Sequence, residues 1–391
     1  MFKNKAFPVL LASEALSLIG DRILAVALIV LVYDLTASAV TVSILMMLKA
    51  IPSLFLGSVA GTLVDRMNRK WVMVFSNLAQ GVLVLMIPFT DTLLVVYGIY
   101  LLMSVVNQFF IPARAATLPG IVPAQSLMAA NSLFSIAYVG AIAIGPMIGG
   151  FLIEAAGTDA AFFADSISFF IPAIAVAFLA LPQVKPDTRS GSFSDAFRAG
   201  LAYIGETGPV RQALILTTLV YMGIGTISVL GIVIADKVLG TGAGGYGMMM
   251  SSMGVGMLVG AILTGKFGKR FQRIKLASTG AILAGCSITA LPFVSSLYVA
   301  FGVNFLLGMG MVASQTTAYT IFQSAPEALR GRVMGAAQSL MGAASFLAMG
   351  LAGFVAEWFG ILPVLVGIGC LVIAAGLFVV TRSGPQSVSN A

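Results

Sequence analysis

Long apolar runs separated by short polar loops dominate the chain. A helix needs about 20 apolar residues to cross a bilayer. Twelve stretches meet that need, at roughly 8–33, 38–63, 71–90, 92–116, 126–154, 160–181, 210–235, 245–266, 274–293, 295–321, 332–357 and 360–381. The pattern predicts an all-α membrane protein with twelve transmembrane helices in two six-helix halves. One half spans 1–182 and the other 210–391.

The stretch between them, 183–209, is the predicted hinge. Pro182, Pro186 and Arg189-Ser190-Gly191-Ser192 break helix. Phe193, Phe197, Leu201 and Ile204 then recur at helical spacing with Asp195, Arg198 and Glu206 between them. That alternation predicts a short amphipathic helix on the cytoplasmic surface.

An internal repeat supports the two halves. The run from Gly149 to Gly157 aligns with Ala352 to Gly360, so that Gly150, Phe151, Glu154 and Gly157 match Gly353, Phe354, Glu357 and Gly360. Pro123 and Pro326 fall at the same offset.

Composition agrees with this pattern. The 391 residues are 59% hydrophobic and 9% charged, whereas a soluble domain carries about 25% charged residues. The net charge is +7, but the basic residues sit in loops, which argues for membrane topology and against nucleic acid. If the N-terminus is inside, the cytoplasmic segments hold Lys3, Lys5, Arg66, Arg69, Lys70, Lys185, Arg189, Arg198, Arg211, Lys266, Lys269, Arg270, Arg273, Lys275, Arg330, Arg332 and Arg382. The outside loops hold Lys237 alone. Both termini are therefore expected in the cytoplasm. The basic start runs into the first apolar stretch without a clean cleavage site, so a first helix is expected there rather than a removed signal.

Several chemistries are excluded. Histidine is absent, which removes Ser-His-Asp and Cys-His catalysis. Cys286 and Cys370 lie far apart in apolar runs, so no metal or disulfide framework is expected. There is no G-x-x-x-x-G-K-[ST] loop to bind ATP. The reading is a non-enzyme without cofactor, driven by a proton gradient.

The loop Gly61-Thr62-Leu63-Val64-Asp65-Arg66-Met67-Asn68-Arg69-Lys70 packs charge between two apolar runs. Gly61 would let helix 2 approach a neighbour closely, and Asp65 can cap a helix N-terminus. Arg66, Arg69 and Lys70 can meet acidic groups or lipid phosphate. Its G-x-x-x-D-R-x-x-R-K pattern resembles the loop after helix 2 in the major facilitator superfamily of secondary transporters. That resemblance implies a cytoplasmic latch facing the start of helix 11, here Leu329-Arg330-Gly331-Arg332.

Helix 5 carries Gly140, Gly145, Pro146, Gly149 and Gly150, a spacing that suits close helix packing with a weakened hydrogen-bond ladder at the proline. It resembles the G-x-x-x-G-P-x-x-G-G run of the superfamily's drug:proton antiporters. Ser17-Leu18-Ile19-Gly20-Asp21, the stretch Phe110 to Pro123 and the loop Pro326 to Arg332 are similar to the branch with macrolide-efflux and enterobactin-exporter-like proteins. The buried arginine such antiporters often carry midway along helix 4 is missing, for Arg114 lies near that helix's cytoplasmic end.

Charge inside the apolar runs is costly and usually functional. Glu14, Asp21, Arg22, Lys49 and Asp165 all fall in the first half. Asp21 and Lys49 lie at equal depth on neighbouring antiparallel helices and could pair. Asp21 is the expected proton carrier, Glu14 the second candidate, and Lys49 and Arg22 their charge partners. Asp165, placed toward the outer end of a peripheral helix, suits a capping or structural role. Asn107, Tyr138, Tyr221, Asn304, Gln315 and Gln338 are candidates to line a substrate cavity, with a methionine cluster on helix 8 (Met248, Met249, Met250, Met253, Met257) suited to varied apolar ligands.

The expected activity is proton-coupled efflux of small amphipathic compounds, drugs or siderophore-like, by alternating access in an inner membrane. Membrane lipids are the expected surroundings and a monomer the expected state. Lipid, lysophospholipid or metabolite transport is the alternative. A non-transporting sensor or scaffold is a third reading, disfavoured by the short C-terminal tail.

Overall fold

The structure, a computed structural model, describes residues 6–181 and 193–382. The expectations resting on Lys3, Lys5, Pro182, Lys185, Pro186 and Arg189 fall outside those residues. The described residues form helices and no strand. Hydrocarbon offers no partner for a backbone amide, so a spanning chain satisfies its amides within each helix. Ten of the helices are long and apolar enough to cross a membrane.

The helices are α1 (Ala6–Thr36), α2 (Ala39–Val64), α3 (Arg69–Met86), α4 (Leu93–Ile121), α5 (Leu127–Ala177), α6 (Phe193–Glu206), α7 (Gly208–Val233), α8 (Gly242–Phe267), α9 (Arg273–Ala290), α10 (Leu297–Gln323), α11 (Glu327–Phe359) and α12 (Ile361–Arg382). At about 1.5 Å per residue α5 would be roughly 76 Å long, far beyond the ~30 Å of hydrocarbon. It breaks at Gly157, whose φ of 82° and ψ of 170° are not helical. The two segments expected at 126–154 and 160–181 are thus joined by one residue, not a loop. Gly360, its repeat partner between α11 and α12, has φ 81° and ψ 168°. A side chain is strained at such a φ, so the repeated glycine has a backbone cause at both positions.

The described residues divide into two compact units. The first holds 6–37, 44–181 and 242–251. The second holds 38–43, 193–241 and 252–382. In the first unit α1 packs on α5, and α3 packs on α4 and α5. In the second α7 packs on α11, and α9 packs on α10 and α12. The sequence repeat is therefore a repeat of packing as well.

Small residues explain how the first unit holds together. The glycine-rich run of α5 presents two faces. A Cβ on Gly145 would strike Arg22 and the Ile19 carbonyl, and one on Gly149 would meet the Ile23 backbone, so this face seats α1. A Cβ on Gly150 would strike the Ala243 carbonyl at 2.7 Å, and one on Gly247 would fall on the Pro146 carbonyl, so the other face seats segment 242–251. Proline has no N–H and disturbs the ladder around it. Beside it, the Met147 N–H donates to the Ser251 hydroxyl at 2.9 Å. Glu154 Oε1 accepts from the Gly244 N–H at 3.1 Å, in the first turn of α8, where a carboxylate is favoured.

The second unit repeats the device. Gly353 would meet the Ala39 carbonyl and the Ser43 side chain if it carried a Cβ, its N–H donates to the Ser43 hydroxyl at 3.0 Å, and the Ser38 hydroxyl donates to Glu357 Oε2 at 2.9 Å. Here α6 lays Phe197, Leu201 and Ile204 into the apolar cluster with Phe322, Val333 and Ala337. A Cβ on Gly200 would strike the Arg332 carbonyl. The apolar stripe of α6 is thus used on α11, within the protein.

Two glycines expected to serve close packing do not. At Gly61 and Gly140 a Cβ would meet no atom within 4 Å.

The contrast is measurable. Gly150→Leu and Gly353→Leu are each expected to cost about 1–3 kcal/mol through overpacking, while Gly61→Leu and Gly140→Leu leave the fold unharmed. Thermal unfolding of the purified variants in detergent would show it, and equal losses at all four positions would contradict the packing argument.

Candidate functional site

Charge is concentrated inside the first unit, on α1, α2, α4 and α5. Counting about 1.5 Å per residue, Glu14 lies ~12 Å along α1 from Ala6 and Arg114 ~11 Å from the far end of α4. Helices running in opposite directions bring the two to one level. Glu14 Oε1 and Arg114 Nη1 form an ion pair at 2.9 Å. The Arg114 guanidinium also lies over the Phe134 ring at 5.2 Å, and Phe134 meets Phe7 edge-on at 6.1 Å. Glu14, Ser13, Ser17, Asn77, Phe110 and Pro172 line a small cavity beside this pair. The sequence pattern sets Arg114 near a helix end and gives it no role, because it ends this helix at 116, whereas α4 runs on to Ile121 and carries Arg114 to the depth of Glu14.

Higher along α1 the arrangement changes. Asp21 and Arg22 are half-buried and Lys49 keeps accessible surface. Lys49 and Arg22 are the cations whose fields act on Asp21. The expected contact between Asp21 and Lys49 is nonetheless not formed. Glu14 and Asp65, by contrast, do form ion pairs, with Arg114 and Arg69. Arg22 instead lies over the Tyr138 ring at 5.2 Å, and its Nε is buried without a hydrogen-bond partner. Gly145 opposite leaves room for its stem.

Asp165 departs most from expectation. Because α5 breaks at Gly157, its second limb starts early, and Asp165 stands about 12 residues, ~18 Å, from Ala177, deep in the unit. It is fully buried. A Cβ on Gly20 would fall on the Asp165 carboxylate and the Ser168 hydroxyl, so α5 touches α1 one residue before Asp21. The Ser168 hydroxyl donates to Asp165 Oδ1 at 3.0 Å, while Oδ2 has no partner. Of the capping or structural role expected for Asp165, capping is excluded by its place in mid-limb, and its side chain is buried against α1.

The loop 61–70 also differs from expectation. Asn68, not Asp65, caps α3, its side chain accepting from the Lys70 and Trp71 amides. Asp65 is exposed and pairs with Arg69 at 3.5 Å. Arg69 is buried, and its Nη1 donates to the Ala116 carbonyl at 2.9 Å, tying α3 to the end of α4. Arg66 is exposed, while Lys70 is half-buried with its ammonium over the Trp71 ring at 5.5 Å. Arg330 and Arg332 are exposed in the first turns of α11.

Of the cavity candidates, the Gln315 amide donates to the Tyr221 hydroxyl, joining α10 to α7 in the second unit. Gln338 and Tyr138 are exposed and Asn107 is half-buried. Asn304 is corrected: it is fully buried and its amide donates to the Ala300 carbonyl of its own helix at 2.9 Å. The methionines of α8 split likewise, with Met249 and Met257 buried and Met248, Met250 and Met253 half-buried.

Comparison with known proteins agrees on the class. The family described as transmembrane secretion effector matches residues 1–390. The chain is 28% identical to the MFS-type transporter YfiS of Bacillus subtilis, over 96% of this chain and 93% of that one. It is 27% identical to macrolide efflux protein A of Streptococcus pyogenes, over 90% and 89%. Among solved structures it is similar to the nucleoside transporter NupG, with a TM-score of 0.76 at 13% identity, over 96% of this chain and 98% of that one.

The Glu14–Arg114 pair predicts a specific non-additivity. Arg114→Gln leaves a buried carboxylate without its counter-charge and is expected to cost about 3 kcal/mol. Glu14→Gln added to it restores much of the loss. A double-mutant cycle by thermal unfolding measures the coupling, and strictly additive losses would show that the pair contributes nothing.

Proposed function

The chain belongs to the transmembrane secretion effector family of the major facilitator superfamily, and on that premise we propose that it exports small amphipathic compounds in exchange for protons. It is a multi-pass membrane transporter, not an enzyme. We read twelve crossings in two six-helix halves, with α5 counted twice at its Gly157 break and α6 not counted. Both termini lie in the cytoplasm, the membrane is a bacterial inner membrane, and the transporter works as a monomer.

The observation that carries the coupling is Asp21. It is a half-buried carboxylate with two cations acting on it and no fixed ion pair. A group so placed can change charge as its surroundings change. Glu14 is the weaker candidate, because Arg114 already holds it. Efflux is the direction supported by the macrolide exporter among the relatives. Arg22 stacked on Tyr138 in one unit and Gln315 bonded to Tyr221 in the other are polar and aromatic surfaces that a substrate could use.

A second reading has its own support. Lys49, a residue that keeps accessible surface, with Arg22 near, suits an anionic head group, and would favour transport of a lipid or an acidic metabolite.

A toxicity profile decides between the readings. Wild type and Asp21→Asn, matched for expression in a host lacking its main efflux pumps, are challenged with drugs, dyes and siderophores. Wild type is expected to raise tolerance several-fold to at least one class. Asp21→Asn and a protonophore are each expected to abolish the gain, since protons entering down their gradient drive export. Protection by both proteins would remove Asp21 from coupling. Protection by neither would favour the lipid or metabolite reading.

A further inference from the structure

Asp165 is a buried carboxylate that the proposal above does not use. Asp21, another carboxylate, acts on it electrostatically, and among the described residues no cation pairs with it. Lys49 and Arg22 act on Asp21. Its own helix supplies only the Ser168 hydroxyl, on Oδ1. From α4 it is faced by Tyr100, a buried phenol that also senses Asp21, Arg22 and Tyr246. Oδ2 is enclosed and has no donor.

An ionised carboxylate in that setting would lack both water and a cation, a costly state. Two carboxylates that act on one another in an enclosed site repel when both are ionised, and a proton on either relieves that repulsion. Gly20 makes the approach possible. With no Cβ on that residue, the Asp165 carboxylate and the Ser168 hydroxyl lie directly against the α1 backbone next to Asp21.

We propose that Asp165 and Asp21 form a carboxyl pair that shares the coupling proton, with Asp165 as its enclosed store and Asp21 as its port to water. Loading adds a proton from water to the Asp21 carboxylate. Transfer breaks that O–H bond and forms one at Asp165 Oδ2, leaving Asp21 ionised between Lys49 and Arg22. Unloading runs in reverse: the proton returns from Asp165 to Asp21 and leaves to water, so the pair's charge goes from −1 to −2, and this doubly ionised pair is the unfavourable state that draws in the next proton. This rests on the proton-driven reading above, but its test needs no substrate.

Infrared spectroscopy of the purified protein detects a protonated carboxyl by its C=O stretch. Wild type at neutral pH is expected to show this band, and to exchange it slowly in deuterated water because Asp165 is enclosed. Asp165→Asn is expected to lose it, whereas Glu14→Gln keeps it unchanged. Asp21→Asn keeps it at a shifted frequency. Absence of the band in wild type, or its survival in Asp165→Asn, would overturn the proposal. Should Asp165→Asn fail to fold, Ser168→Ala decides. Removing the hydroxyl on Oδ1 moves the band if it belongs to Asp165, and an unmoved band overturns the assignment. In proteoliposomes with any compound that the toxicity profile identifies, folded Asp165→Asn is expected to carry it downhill but to lose at least tenfold in its response to a proton gradient. An unchanged response would also overturn the proposal. Loss of drug protection with the band intact would sink only the export reading.

Discussion

Hydrocarbon offers a charged or polar group no partner, so each such group must find one inside the protein, lose its charge, or keep a route to water. The charges of the first unit meet that constraint unequally. Glu14 finds Arg114. Asp21 and Lys49 stay accessible in part. Asp165 is enclosed without a cation. The same constraint makes the backbone helical and leaves helix association to close packing, where small residues matter most. Glycine therefore clusters on the first limb of α5, where α1 leans on one face and segment 242–251 on the other.

The repeat gains physical content from its backbone. Gly157 and Gly360 share one left-handed conformation. Glu154 and Glu357, at matching positions, each hold the opening turn of another helix, the first through an amide and the second through a hydroxyl. A duplicated sequence has thus kept a duplicated joint and a duplicated clasp, while side chains elsewhere diverged.

Fold class, the apolar runs and the repeat are legible in the sequence because they rest on composition and period. The depth match of Glu14 and Arg114 is not, because it needs α4 to run on to Ile121, past the expected end at 116. What stays hidden depends on where a helix ends. One residue, Gly157, replaces a loop and sinks Asp165 by several ångström relative to the expected position. Asn68 takes the capping role expected of Asp65, for two residues separate them and either side chain can cap; the φ/ψ of the turn selects Asn68. Gly61 and Gly140 fit a motif by spacing, yet no helix lies against them. Spacing tells which residues share a face, not which face is occupied.

The asymmetry of the two units has a consequence for change over time and for engineering. The positions that repeat Glu14, Asp21, Arg22, Lys49 and Asp165 are Thr217, Ile224, Gly225, Ser252 and Ile368, all uncharged. A substitution among them strands no counter-ion. Drift at these positions of the second unit therefore leaves no buried ion without its partner, a freedom that the first unit lacks at Glu14 and Arg114.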